Sequence, residues 1–134
     1  MKIKKVWANL PVKDVEQTRN FYKTLGFRIN GDGGERNTLA SFLVGDDDFV
    51  VHFFEEKRFK ESANGEVADL KQGNEVMFTL SADSREEVDE WADEVRKAGG
   101  TVFSEPQTII NDKWYGCGFA DPEGHKWNVF YNGR

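Results

Sequence analysis

Two residues in this chain are candidates for acid–base chemistry, His52 and Glu75. An imidazole or a carboxylate becomes an effective acid or base when its surroundings shift its pKa toward neutral pH. Glu75 is predicted to act as a general base if apolar neighbours such as Trp7 and Met77 raise its pKa. The alternative for Glu75 is a solvated or paired carboxylate. For His52, the alternative to catalysis or metal ligation is a hydrogen-bonded structural role.

The single cysteine, Cys117, stands between two glycines in the segment Trp114-Tyr-Gly-Cys-Gly-Phe119. A nucleophilic cysteine needs a base that generates the thiolate, and no such base is adjacent in the sequence. We therefore interpret Cys117 as a structural residue near the expected ligand site. The flanking glycines are typical of a bend or of a close backbone approach. The second histidine, His125, follows the turn Asp121–Gly124 and is predicted to be exposed.

Aromatic side chains are the other candidates for ligand contact. Trp7 and Trp114 are predicted to stack on a planar or cationic ligand, with core filling as the alternative. The residues that we predict to bind a ligand are Trp7, Asn9, Phe54, Met77, Trp114, Cys117, Asn128 and Phe130.

Composition and charge limit the classes of partner. The chain of 134 residues is long enough for one domain with a core of its own, and 31% of its residues are charged. No apolar run reaches the roughly twenty residues of a membrane-spanning helix. The net charge of −6 disfavours nucleic acid and permits attraction of cationic small molecules. A lone cysteine suits a reducing compartment, so we predict a cytoplasmic protein with a small-molecule partner.

The first half of the chain has the pattern of a strand, a helix and three further strands. The strands are predicted over residues 3–10, 27–29, 37–44 and 49–55. The helix begins at the N-cap Asp14 and ends at Gly26, a typical helix stop.

The second half repeats this plan. Strands are predicted over 74–81, from Thr101 onward, over 114–120 and over 126–131. The helix begins with a capping box at Ser84-Arg-Glu-Glu87 and ends at Gly99-Gly100. A repeat of this kind is stronger evidence than one motif, because the pattern must be matched twice.

The repeated βαβββ unit predicts an α+β fold. Alternation places uniformly apolar side chains under the helices and mixed sets, such as Trp7 with Asn9 and Asn128 with Phe130, on the other face. We therefore predict two modules forming a curled mixed sheet around a cleft, with helices on the outer face. The single domain 1–134 would comprise module 1 (about 1–56), a connector (about 57–72) and module 2 (about 73–134). The strand at 49–55 is apolar on both faces, so alternation does not orient His52.

Several motifs follow one another along the whole chain in a specific order. They are Leu10-Pro-Val-Lys-Asp14 with Phe21-Tyr22, Leu25-Gly-Phe27, Ala98-Gly-Gly100 and Phe119-Ala-Asp-Pro-Glu-Gly124. In this order the chain resembles the vicinal oxygen chelate superfamily, which includes glyoxalase I, extradiol dioxygenases and bleomycin- and fosfomycin-resistance proteins. Within it, the chain looks like the compact lactoylglutathione-lyase-like proteins of bacteria.

The resemblance implies four positions for metal ligands, which metal-using members fill with His or Glu. The matching positions here are Trp7, His52, Glu75 and Asn128. Tryptophan does not ligate, and an asparagine carbonyl is a weak partner for zinc, nickel or iron. We therefore favour a protein without a metal cofactor. The alternative is a divalent Zn, Ni or Fe ion held by His52, Glu75 and Asn128.

Three functions remain open from the sequence. The first is a small-molecule-binding protein of the bleomycin-resistance type that binds an aromatic or cationic compound without turnover. The second is a lyase- or isomerase-like enzyme acting on a small carbonyl or thiol adduct, with Glu75 as base and His52 and Asn128 as ligands or oxyanion partners. The third is a scaffold with a vestigial cleft. The resemblance also implies a homodimer.

Overall fold

The computed structural model describes residues 1–110 and 112–133. These residues form two compact units, 1–68 and 69–134, each built around one four-stranded sheet. The predicted connector is divided between them, since its first part forms a helix that belongs to the first unit. No helix within the described ranges is long and apolar enough to cross a membrane.

The first unit follows the predicted βαβββ plan and adds a second helix. Its elements are β1 (Ala8–Val12), α1 (Val15–Thr24), β2 (Arg28–Ile29), β3 (Leu39–Val44), β4 (Phe49–Glu55) and α2 (Glu56–Ala63). The strand order is β1-β4-β3-β2. Strand β1 runs parallel to β4, whereas the other neighbours are antiparallel.

Helix α1 begins and ends where the sequence predicts. The Asp14 side chain accepts a hydrogen bond from the Gln17 N–H at 2.9 Å, which caps the first turn. Gly26 has a φ of +91°, the left-handed conformation that ends helices. Between these ends, buried Tyr22 stacks on Phe53 of β4 at 4.7 Å. This packing fixes α1 on the face of the sheet that carries Phe53.

The second unit repeats the plan without the extra helix. Its elements are β5 (Met77–Ser81), α3 (Arg85–Ala98), β6 (Thr101–Ile109), β7 (Trp114–Ala120) and β8 (Lys126–Tyr131). The strand order is β5-β8-β7-β6, with β5 parallel to β8. Irregular pairing between β6 and β7 at Val102 to Gln107 shifts the register of β6.

Helix α3 is held by the predicted capping box. The Glu87 N–H donates to the Ser84 hydroxyl at 3.1 Å, and the Glu87 carboxylate accepts from the Asp83 N–H at 2.8 Å. The apolar side of α3 covers a buried stack in which Phe119 lies parallel to Trp127, at 6.3 Å. The core of the second unit therefore lies between α3 and one face of its sheet.

The structure confirms the α+β class and the repeated βαβββ order, but several predicted strands begin later, with the largest shifts in β1 and β5. Strand β1 begins at Ala8, so Trp7 precedes it. Strand β5 begins at Met77, which pairs with Lys126, the first residue of β8. Glu75 therefore lies before β5, because β8 has no residue there with which it could pair. Strand limits depend on the partner strand, which periodicity along one segment does not reveal.

Candidate ligand-binding faces

Each sheet has one face under its long helix and one face turned away from it, which we call the far face. In the first unit, the far face contains Asn9, His52 and Ser41, which the strand register places side by side on β1, β4 and β3. Alternation along β4 adds Phe54 to the same face. The apolar periodicity of β4 left the direction of His52 undecided, and the register decides it.

The far face of the first unit carries a polar row across β1, β4 and β3 that ends at Asn30, the residue after β2. Asn9 pairs with His52, and His52 pairs with Ser41. The amide of Asn30, next to β2, donates to the buried Ser41 hydroxyl at 3.0 Å. This is the one hydrogen bond between side chains of the row. No member of the row therefore bonds to the His52 side chain.

His52 is surrounded by aromatic rings. Its ring centroid lies 6.4 Å from that of Trp7, in an edge-on arrangement, and 5.4 Å from that of Phe54. Burial lowers the pKa of His52 below its ordinary value, so the imidazole is neutral at pH 7. Its Nδ1 is the one buried side-chain nitrogen or oxygen in the described part of the chain without a hydrogen-bond partner. A buried polar atom without a hydrogen-bond partner destabilises the fold, and a ligand that supplies the partner would remove this cost.

Two aromatic residues of the first unit differ in their availability to a ligand. Trp7 is 50% exposed. Phe54 is partly covered, because the Arg58 guanidinium of α2 lies 5.1 Å from its ring centroid and is also paired with Glu35. Trp7 is therefore the more accessible aromatic surface beside His52.

The far face of the second unit rests on two glycines of β7. A Cβ added to Gly116 would lie 2.7 Å from Phe130 Cε1 and 2.8 Å from the Val129 carbonyl oxygen. A Cβ added to Gly118 would lie 2.5 Å from Phe103 Cζ. These glycines allow two rings to lie directly on the strand backbone, which confirms the predicted close approach.

Polar and aromatic groups border these two rings. Asn128 pairs with Gly118 on β7 and with Thr79 on β5. Trp114 meets Phe130 edge-on at 5.9 Å. On the other side, the Lys126 ammonium lies 5.0 Å from the centroid of Phe103.

Two residues of this face, Lys126 and Phe103, are absent from the predicted ligand-binding set. Alternation along β8 could have identified Lys126, since it shares its face with Asn128 and Phe130. No such signal existed for Phe103, because the irregular pairing of β6 begins beside it.

Cys117 is in the predicted ligand-binding set, but the structure places its side chain away from the far face. Cys117 alternates with Gly116 and Gly118, so its side chain lies on the α3 side of the sheet, with Sγ 3.8 Å from the Val88 carbonyl oxygen. Burial, with smaller contributions from Asp89 and Glu105, raises the pKa of Cys117 to about 11. The thiol is therefore a protonated core group, in agreement with the structural role inferred from the sequence.

Three further residues of the second unit lie in different settings. Glu75 is exposed ahead of β5, and its role as a base remains a prediction, whereas neighbouring Met77 is 52% exposed on the far face. His125 was predicted to be exposed but is buried. The reason is the turn geometry, in which the Asp121 carboxylate accepts the His125 N–H at 2.9 Å and draws this residue inward.

The chain contains the βαβββ unit twice. Each copy has a helix on one face of its sheet and polar and aromatic side chains on the other. This arrangement is that of the glyoxalase and bleomycin-resistance class of folds. The profile of the glyoxalase/bleomycin resistance protein/dioxygenase superfamily matches residues 5–129. The chain belongs to this superfamily.

Solved structures agree with this assignment. A hypothetical protein of S. aureus is 33% identical, with 98% of this chain and 95% of that chain covered and a TM-score of 0.84. A glyoxalase-related enzyme of Fulvimarina pelagi is 17% identical over 97% and 89% of the two chains, with a TM-score of 0.81. A lactoylglutathione lyase of Agrobacterium tumefaciens is 19% identical over 99% and 97%, with a TM-score of 0.69. The last two are similar in fold alone. No curated protein matched the sequence.

The residues at the implied ligand positions do not form a strong metal site. Trp7 carries only an N–H donor, and the Asn128 amide is a weak ligand for transition metals. Across residues 1–110 and 112–133, no group of three or more His, Cys, Asp and Glu residues could hold a metal ion. The donor set therefore does not fit the metal chemistry that the resemblance implies.

Proposed function

We propose that this protein binds a small aromatic compound on the far faces of its sheets, without a resident metal and without turnover. The observation that carries this proposal is the cluster of Trp7, His52 and Phe54 on the first unit. It combines a half-exposed indole with a neutral imidazole whose Nδ1 has no hydrogen-bond partner among the described residues.

The cluster suits a planar ligand for two reasons. An aromatic pair contributes about 0.5–1.5 kcal/mol beyond the area that it buries, and Trp7 has an accessible ring surface. The imidazole of His52 can donate from one nitrogen and accept at the other when it is neutral. A few polar groups within an apolar wall are typical of small-molecule sites.

The far face of the second unit supports the same class of ligand. Trp114 and Phe130 form an edge-on aromatic pair there, and the Asn128 side chain supplies one donor and one acceptor. Met77 adds a flexible apolar surface that adapts to different shapes.

Calorimetric titration with naphthalene-2-carboxamide, a neutral planar probe, tests the proposal. We expect saturable binding that Trp7→Ala weakens about tenfold and Trp7→Phe weakens less, since the phenylalanine keeps a ring. Trp91→Phe is the matched control, because Trp91 stacks on Phe119 in the α3 core and should leave the affinity unchanged. Absence of binding to the wild type would refute the proposal, and equal affinity in Trp7→Ala would refute binding at the first far face, whose cluster carries the proposal.

The metal-free part of the proposal has its own measurement. Protein purified without chelators is expected to contain less than stoichiometric Zn, Ni and Fe by elemental analysis. A stoichiometric metal that disappears in His52→Ala would overturn this part and support the metal-assisted alternative.

The second candidate function is a lyase- or isomerase-like enzyme, and the neutral state of His52 favours it. An unpaired neutral imidazole can accept a proton at pH 7. The test is turnover of the glutathione adduct of methylglyoxal, measured for the wild type, His52→Gln and Glu75→Gln. Turnover that is lost in either variant would support an enzyme, and rates equal to buffer would eliminate this reaction.

A homodimer in the cytoplasm completes the proposal, by resemblance to the family and by the lone cysteine. Light scattering coupled to size exclusion would give twice the 15.3 kDa mass of the chain if the dimer forms.

A further inference from the structure

Lys126 is a partly buried cation at the start of an internal strand of the second sheet. It opens β8, a strand with neighbours on both sides, and its side chain projects onto the far face of the second unit. No carboxylate in the described ranges lies within 4.0 Å of its ammonium group. The ammonium lies instead over the Phe103 ring.

Two other basic residues in the same unit are paired with carboxylates. Arg96 pairs with Glu105 and Asp93, and Lys97 pairs with Glu94. An ammonium over an aromatic ring gains a modest cation–π attraction, and a carboxylate in contact with it would add a stronger charge-assisted interaction. The site is therefore ready to accept a negative charge.

The residues around Lys126 indicate which other groups a ligand at this site would carry. Phe103 is 44% exposed and lies across Gly118, which gives a flat apolar surface beside the ammonium. Asn128, the next residue of β8 on this face, adds a neutral hydrogen-bonding group. Phe130 lies across Gly116 further along the strand.

We propose that the far face of the second unit binds an aromatic carboxylate, with its ring on Phe103 or Phe130 and its carboxylate at Lys126. This inference rests on the proposed function and names the class of its ligand. It differs from the preference for cations that the net charge of −6 suggests. Net charge acts at long range and is screened within about 10 Å at 0.1 M salt, whereas Lys126 would contact the ligand directly.

Three probes with the same naphthalene ring separate charge from shape: naphthalene-2-carboxylate, naphthalene-2-carboxamide and 2-naphthylmethylammonium. We expect the wild type to bind the carboxylate about tenfold more tightly than the amide, equivalent to about 1.4 kcal/mol, and to bind the ammonium most weakly. Lys126→Met should remove this preference while changing the affinity for the amide less than about twofold. Lys126→Arg should retain it.

Lys97→Met is the matched control. It removes one positive charge from an exposed position of α3, so it changes the net charge equally and should keep the preference for the carboxylate. Thermal unfolding of each variant reports whether it is folded. If Lys126→Met does not fold, Lys126→Arg and the loss of the preference between 0.05 and 0.5 M salt decide the question.

The outcomes separate this inference from the proposed function. Equal binding of carboxylate and amide by the wild type, or an unchanged preference in Lys126→Met, overturns the inference and leaves the proposed function standing. If none of the three probes binds, the proposed function fails and this inference fails with it.

Discussion

The two far faces have the same strand plan but different surfaces. In the first unit, His52 of β4 pairs with Ser41 of β3, and in the second, Asn128 of β8 pairs with Gly118 of β7. The register thus makes His52 equivalent to Asn128 and Phe54 equivalent to Phe130. One face holds a neutral imidazole between aromatic rings, and the other holds aromatic rings against glycines beside a lysine.

The neighbouring strand explains this difference. Strand β3 presents the buried side chains of Leu39 and Ser41 next to the central strand, whereas β7 presents Gly116 and Gly118 at the equivalent positions. Absence of two side chains leaves room for two rings on the backbone of β7. The side chains of one strand therefore decide whether the far face carries a polar row or aromatic rings packed on the backbone.

The largest expected effect concerns Cys117, whose side chain lies on the α3 side of β7. With a pKa of about 11, about one thousandth of Cys117 is thiolate at pH 8. We therefore expect the thiol to react with a disulfide reagent at least about a hundredfold more slowly in the folded protein than in denaturant. Rapid reaction of the folded protein would place Cys117 on an accessible surface and break the contrast between the two faces of β7. Cys117→Ala should not alter binding of the naphthalene probes.

The close packing of Phe130 on Gly116 is tested by adding one carbon atom to the glycine. Gly116→Ala should lower the free energy of unfolding by about 2 kcal/mol, because the new Cβ meets both the Phe130 ring and the backbone of β8. Chemical denaturation measures this change. Gly73→Ala is the control, since no heavy atom lies within 4 Å of its added Cβ and its effect should stay within about 0.5 kcal/mol. Equal stability of the two variants would contradict the close packing of β7.

The smallest effect is the pH dependence contributed by His52. Its pKa is lower in the folded protein than in the unfolded chain, because burial penalises the charged form. As the pH falls below the unfolded value of about 6.5, the unfolded chain takes up a proton first, so stability is lost until the pH passes the folded pKa. Above about pH 7.5 this contribution is constant.

The variant His52→Asn isolates this contribution and makes the first far face resemble the second. Denaturation of the wild type and the variant between pH 5 and 8 gives the difference in stability, in which contributions from the unchanged residues cancel. We expect this difference to fall on acidification. A difference that is independent of pH would show that His52 is not buried as a neutral imidazole.

Much of the fold was predictable because local signals recur in both halves. The caps at Asp14 and Ser84 and the stop at Gly26 depend on neighbouring residues alone, and they lie where the sequence predicts. The beginnings of β1 and β5 were predicted too early, because the partner strand limits pairing. Cys117 was predicted to lie near the ligand site without an assigned face, and alternation with Gly116 and Gly118 places its side chain on the α3 side.

The candidate ligand residues were predictable only in part. Alternation identified Asn9, Asn128 and Phe130 as far-face residues, because strands expose every second side chain to the same side. It did not orient His52 in a strand that is apolar on both faces. The position of Phe103 over Gly118 depends on the irregular register of β6, which no local pattern reports.

The sequence by itself determined the duplicated βαβββ order, the helix limits and the loss of strong ligand types at Trp7 and Asn128. These features follow from chemistry within a few residues along the chain. Tertiary structure alone decided that His52 stays neutral among aromatic rings and that Lys126 lies beside Phe103 with no carboxylate of the described residues within 4.0 Å. Burial and the absence of a partner depend on residues that are distant in sequence, so only the folded arrangement determines them.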